Sequence, residues 1–247
     1  MNGFSGALVY LNDPFNWTRD DGFGIFSLLR DHLQISLVAV LLAAVFAVPI
    51  GIALGHSGRG SGFVVALSNV SRAVPTLALL TIFAVTPIGF GNRATTIALA
   101  VFAFPLILVN TFVGLQGVDA DLREAARGMG MSSGQVIRRV EVPLAFPLIM
   151  TGIRSATVQV VATAGLAALV GGGGLGRLIN LGFAQQNYAE VVAGAILVAG
   201  LAILTEVTLV VVSRALTPGQ KRLPFTVRPG KVPVTPEPER LVAAEPL

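Results

Sequence analysis

The sequence predicts an all-α integral membrane protein with about five transmembrane helices, and three observations carry that reading. Of the 247 residues, 53% are apolar and only 12% are charged, and the mean hydropathy is +0.77. That is too oily for a water-soluble domain. Several stretches of about 20 residues, the length that crosses a ~30 Å hydrocarbon core as helix, hold no charge. The lysines and arginines gather in the loops and the tail, where they anchor a protein at the membrane surface. The formal charge of +4 and the basic pI therefore point to lipid and not to nucleic acid.

Composition also excludes chemistry. The chain has no cysteine and only two histidines, His32 and His56, which leaves no disulfide, thiolate metal site or cysteine nucleophile. No metal or cofactor is expected. The histidines flank the first apolar run, and interfacial anchoring is the expected role of both.

Residues 1–32 hold four aspartates, two arginines and the only tryptophan, Trp17, with no basic leader before an apolar run. This reads as an extracytoplasmic N-terminal segment and not as a signal peptide. Leu33 to Gly55 is uncharged and forms the first span. Residues 63–90 are apolar but interrupted by Asn69, Ser71, Arg72 and Pro75. Proline removes a backbone donor and disfavours helix in the residue before it, so Val74-Pro75 should separate a short interfacial helix from a second span over about 75–89. Ala94 to Leu115 is the third span despite Pro105, which a membrane helix tolerates when neighbours satisfy the freed carbonyl.

The polar stretch 116–142 follows. A fourth span starts near Pro143 and ends before the glycine run Gly171–Gly174, and a fifth runs from about Ala189 to Val212. The membrane unit is thus 33–212. Residues 213–247 hold seven of the fourteen prolines and six lysines or arginines, the composition of a disordered basic cytoplasmic tail.

Orientation follows from basic residues, which are retained inside. With five spans, one side receives eleven lysines and arginines: Arg59, four on the 116–142 loop, Arg214 and five further along the tail. The other side receives Arg19, Arg30, Arg93 and Arg177. The N-terminus is expected outside and the C-terminus in the cytoplasm.

The 116–142 stretch, now cytoplasmic, should form a helix, a glycine turn and a helix. Asp119 can cap the first, Gly128 and Gly130 end it, and Ser132 with Gln135 makes a capping box for a second that stops at Pro143. Within it Glu124-Ala125-Ala126, then Gly130, then after nine residues Val140-Glu141-Val142-Pro143 resemble the "EAA, three residues, G, nine residues, I-x-L-P" signature of ABC importer permeases. Two valines replace the isoleucine and leucine, which keeps the contact apolar. The likeness extends through Arg72–Leu80, Asn110–Gly114, Gly152–Arg154 and Gly171–Gly176, over roughly 30–215, and is closest to the branch importing glycine betaine, choline, carnitine and related osmoprotectants.

The resemblance implies the type I ABC importer permease fold, with the 116–142 loop as a coupling helix docking on an ATPase through Glu124, Ala125, Ala126 and Gly130. It also implies a second permease subunit, the same chain or a paralogue, two ATP-binding subunits and an extracytoplasmic binding protein. No G-x-x-x-x-G-K-[ST] loop occurs, so ATP hydrolysis is expected in a separate chain. A quaternary ammonium is held by aromatic faces, and one tryptophan with Tyr10 and Tyr188 offers few. Tight recognition is therefore expected of the binding protein.

Other signals have plainer readings. Gly171, Gly173 and Gly176 match G-x-G-x-x-G but follow a membrane span with no strand-helix-strand unit, so they suit close packing and a deformable link, not a dinucleotide. Gly51 and Gly55 form a small-xxx-small face for helix packing or a subunit contact. Arg154 and Glu206 are the ionisable residues well inside spans; they form an intramembrane pair, or each reaches headgroups or a watery cavity separately. Alternatives are an ABC permease for another small solute such as an amino acid, an ion-coupled secondary transporter, or a membrane scaffold without transport.

Overall fold

Charge-free sequence fixes the length of the helices, and glycines fix how closely they approach. A computed structural model describes residues 3–19 and 21–216. Among them there are helices and no strands. In chain order these are α1 (Gly3–Asn12), α2 (Pro14–Thr18), α3 (Ile25–Ser57), α4 (Ser61–Ala73), α5 (Thr76–Ala84), α6 (Asn92–Gln116), α7 (Ala120–Gly128), α8 (Ser133–Val136), α9 (Val142–Thr163), α10 (Gly176–Ala184) and α11 (Tyr188–Leu216). A π-turn, Ile137–Glu141, joins α8 to α9, and a 3-10 segment, Ala164–Val170, extends α9.

The core lies where α3, α6 and α9 meet, around Ala39, Ala43, Leu99, Ala103, Ile107, Leu108, Ala156 and Val160. Its alanines and glycines let backbones approach. A Cβ on Gly51 would stand 2.7 Å from the Cβ of Thr111, and one on Gly55 2.7 Å from the Cβ of Leu115. The Gly51/Gly55 face is thus occupied by α6 of the same chain. On the adjoining face of α6, a Cβ on Gly152 of α9 would stand 2.6 Å from that of Asn110. α11 packs beside α9, and α1 lies against the start of α11. There the Tyr10 hydroxyl donates to Glu190 Oε1 at 3.3 Å. Burial and the adjacent carboxylate push the Tyr10 phenol up to about 12, so it stays a proton donor.

Four helical stretches are long and apolar enough to cross a membrane, or five if the bent α4/α5 pair counts as one. Several boundaries differ from the sequence reading. The first span begins at Ile25, not Leu33, because Ile25, Leu28, His32 and Ile35 continue one buried stripe through the charged pair Arg30-Asp31. The second span is not a straight helix over 75–89. α4 ends at Ala73, Val74 is extended, and after Pro75 α5 lasts nine residues, about 13.5 Å. The two meet at 86°, a broken span or a re-entrant loop.

The helix after Ser132 does not stop at Pro143. It continues through the π-turn into α9, with Pro143 in the first turn, where a missing N–H is tolerated. α1 and α10 were not anticipated; α10 is short but buries Gly176, Leu178 and Gly182. α11 runs to Leu216, past the expected boundary at 213, and the remainder of the Pro-rich tail lies outside the described residues.

Glycine packing gives opposite expectations at two sites. Gly152→Ala forces a methyl into Asn110 and should destabilise by about 1–3 kcal/mol. Gly200→Ala meets nothing within 4 Å and should be neutral or stabilise by up to about 1 kcal/mol through helix propensity. Thermal unfolding in detergent micelles checks the sign of each.

Candidate functional site

Among the described residues α7 is the one strongly polar helix on the bundle, and its boundaries are written in its sequence. The Asp119 carboxylate accepts from the Asp121 N–H at 2.9 Å. At the other end the Met129, Gly130 and Met131 amides turn back onto the carbonyls of Ala125, Arg127 and Ala126. The reversal needs Gly130 at φ +80°. Ser132 then opens α8, its N–H donating to Gln135 Oε1 at 2.8 Å in a capping box.

The motif residues divide between two faces. Glu124, Ala125 and Gly130 are exposed, together with Leu122 and Met129, while Ala126 is 2% exposed and faces the bundle. Arg123 also turns inward, where it meets Glu141.

Glu141 is fully buried at the π-turn. Its Oε2 lies 2.8 Å from His56 Nδ1, at the end of α3. Its Oε1 lies 3.1 Å from Arg123 Nε, on α7. The Arg123 guanidinium also donates to the Leu115 carbonyl near the end of α6. Alongside, Gln116 Nε2 donates to the Gly55 carbonyl at 2.8 Å. One carboxylate therefore gathers the end of α3 and the middle of α7 at the start of α9, and Arg123 brings in the end of α6. A carboxylate taken out of water costs several kcal/mol unless ion pairs and hydrogen bonds replace its hydration.

Sequence reading missed this cluster, taking Glu141 only as the unspecified position of the Val140-Glu141-Val142-Pro143 motif. The available signal was its flanks, Val140 and Val142-Pro143, which mark an acid about to enter an apolar span. His56 is accordingly no interfacial anchor but the partner of a buried acid.

His32 also departs from the anchoring expectation. It is 0% exposed, with Nε2 2.9 Å from the Val161 carbonyl and Nδ1 3.3 Å from the Leu175 N–H. That arrangement suits the tautomer protonated on Nε2. The Leu175 contact helps pin the glycine run at the end of the bundle opposite α7. The Gly173 N–H donates to Asn92 Oδ1 at 2.6 Å. Gly171 and Gly174 have φ of +73° and +91°, and a Cβ on Gly176 would stand 1.8 Å from the Gly165 carbonyl oxygen. The run thus serves close packing. Beside it opens a cleft of about 670 Å³ lined by Phe23, Asp31, Asn92, Arg177 and Asn180. The Arg177 guanidinium sits 4.4 Å from the Phe23 ring centre.

The structure brings Arg154 of α9 and Glu206 of α11 together, Nε to Oε1 at 3.6 Å, both part-exposed. Among the described residues, no three of His, Cys, Asp or Glu group closely enough to hold a metal.

The geometry is that of a four- or five-span helical bundle with a polar helix strapped to one end, and comparison with known proteins gives the family. Residues 47–221 match the binding-protein-dependent transport system inner membrane component family. The chain belongs to that family. It is 37% identical over 208 residues to the glycine betaine/carnitine/choline transport system permease protein OpuCB of Bacillus subtilis (strain 168), covering 84% of this chain and 95% of that one. It is 40% identical over 200 residues to the carnitine transport permease protein OpuCB of Listeria monocytogenes, covering 81% and 91%. Among solved structures, a chain of the inward-facing MetNI methionine ABC transporter superposes with TM-score 0.67 at 25% identity, covering 76% of this chain and 94% of that one. The fold is that of type I ABC importer permeases.

A double-mutant cycle tests the Arg154 and Glu206 contact. Arg154→Ala and Glu206→Ala should each lower stability, and the double variant should lose less than their sum, by about 0.5–2 kcal/mol. Additive losses in detergent unfolding would show two independent charges.

Proposed function

We propose that this chain is the translocation-path subunit of an ATP-driven importer for quaternary ammonium osmoprotectants such as glycine betaine, choline or carnitine. The observation that carries the proposal is α7, a polar helix presenting Glu124 and Ala125 to solvent and tied to the membrane bundle through its other face. The substrates for which its bacterial relatives are named support the substrate class.

In this reading the chain spans the plasma membrane of a prokaryote with its N-terminus outside and its C-terminus and α7 in the cytoplasm. α7 docks on a separate ATPase subunit. The Glu124 carboxylate makes a charge-assisted bond to that partner, Ala125 allows close approach, and Gly130 sets the turn that presents both. Ala126, being buried, seats α7 on its own bundle. A second permease, the same chain or a paralogue, completes the path, and an extracytoplasmic binding protein delivers the solute. ATP binding closes two ATPases and moves the α7 helices, opening the path outward; hydrolysis resets it. Pairing with ATPases that do the chemistry leaves this chain without a catalytic role.

Uptake by proteoliposomes holding the permease, its ATPase and its binding protein tests the proposal. Labelled glycine betaine, choline or carnitine should accumulate only with internal ATP. Accumulation of methionine instead would transfer the chain to the amino-acid reading, and accumulation driven by an ion gradient without ATP would sink the ABC mechanism. In the same vesicles Glu124→Lys should insert and fold normally yet lower ATP-driven uptake at least tenfold. Undiminished uptake by that variant would remove Glu124 from the ATPase contact.

A further inference from the structure

The polar helix α7 has little apolar surface with which to hold its place. Ala126 is its single buried residue, and glycines lie just beyond both ends of its run, Gly117 before it and Gly130 after it. A helix so attached should pivot on its glycine connections unless something rigid fixes it. The element that fixes it is the Glu141 carboxylate, which is completely buried and meets Arg123 of α7 at 3.1 Å and His56 of α3 at 2.8 Å.

We infer that His56, Arg123 and Glu141 form the mechanical link that makes α7 move as one body with the ends of α3 and α9. The inference rests on the reading of α7 as the ATPase-docking helix. Its geometry is suited to force in three respects. The Glu141 carboxylate at its centre is fully buried, while Arg123 and His56 are each 18% exposed, so water does not readily take the place of the acid as the helix is pulled. It joins residues 56, 123 and 141, from three separate elements, so a displacement of α7 reaches α3 without passing along the loop backbone. Arg123 also holds the Leu115 carbonyl near the end of α6, which brings a further helix into the same body. All three act through the placement of α7 and are positioning residues.

A merely structural role predicts fewer folded complexes that each work normally, so the readout is solute imported per ATP hydrolysed by the purified, folded complex in proteoliposomes. Arg123→Ala should still copurify with the ATPase and hydrolyse ATP, while solute moved per ATP falls about tenfold or more. Arg123→Lys, which keeps a cation beside Glu141, should recover part of the loss. His56→Ala should lower the ratio in the same direction, and it supplies the reading if Arg123→Ala does not assemble. A wild-type ratio in assembled Arg123→Ala or His56→Ala would overturn the link. Glu124→Lys in the same assay separates this failure from that of the parent reading. If Glu124→Lys uncouples and the link variants do not, only the link is rejected; if none uncouples, α7 is not the docking helix and both fall.

Discussion

A carboxylate with no access to water is the constraint around which one end of this molecule is arranged. Glu141 stands where a polar turn becomes a membrane span, and its charge has to be met from inside the protein. Meeting it fixes where α3 must end, because His56 has to arrive beside the π-turn. It fixes which face of α7 points inward, because Arg123 has to reach the same oxygens. It also accounts for the division of the signature residues, since a helix with Arg123 and Ala126 turned inward displays Glu124 and Ala125 outward. The π-turn itself fits this arrangement: the wider turn carries Glu141 inward and leads into a helix whose first turn contains a proline.

The opposite end solves a different problem with different means. There the helices are joined by backbone and not by charge, with Asn92 and His32 holding the amides of the glycine run. Glycines with left-handed φ and no side chain let the run lie against α3, α6 and the 3-10 segment at distances that any Cβ would forbid. One end is tied by a buried ion cluster reaching α7, the other by close-packed main chain around an open cleft.

Much of this was legible in the sequence, and what was not has physical reasons. Uncharged length revealed the long helices, since the bilayer imposes length directly. Capping residues Asp119 and Ser132, and the glycine at 130, revealed α7 and the turn after it, because those rules are local. The start of α3 was hidden by Arg30 and Asp31, charges that exclude a lipid-facing stretch but not a helix whose buried stripe runs past them. α5 fell short of a full span because apolar content reports burial and not direction, and a helix can turn 86° at a proline without losing any of it. The roles of His32 and His56 were hidden because their partners, Val161 and Glu141, are separated from them by 129 and 85 positions. Pairing across such distances is decided by packing, which a single sequence does not display.

The inward fastening of α7 has a consequence for assembly. A helix held by its own chain has already lost its conformational entropy during folding, so a protein that docks on it need not order it again. Binding then costs less ordering entropy, and release leaves the helix intact. If α7 docks on an ATPase as proposed, the short exposed row of Leu122, Glu124, Ala125 and Met129 is a preorganised handle, one that a partner can grip and let go once in every cycle.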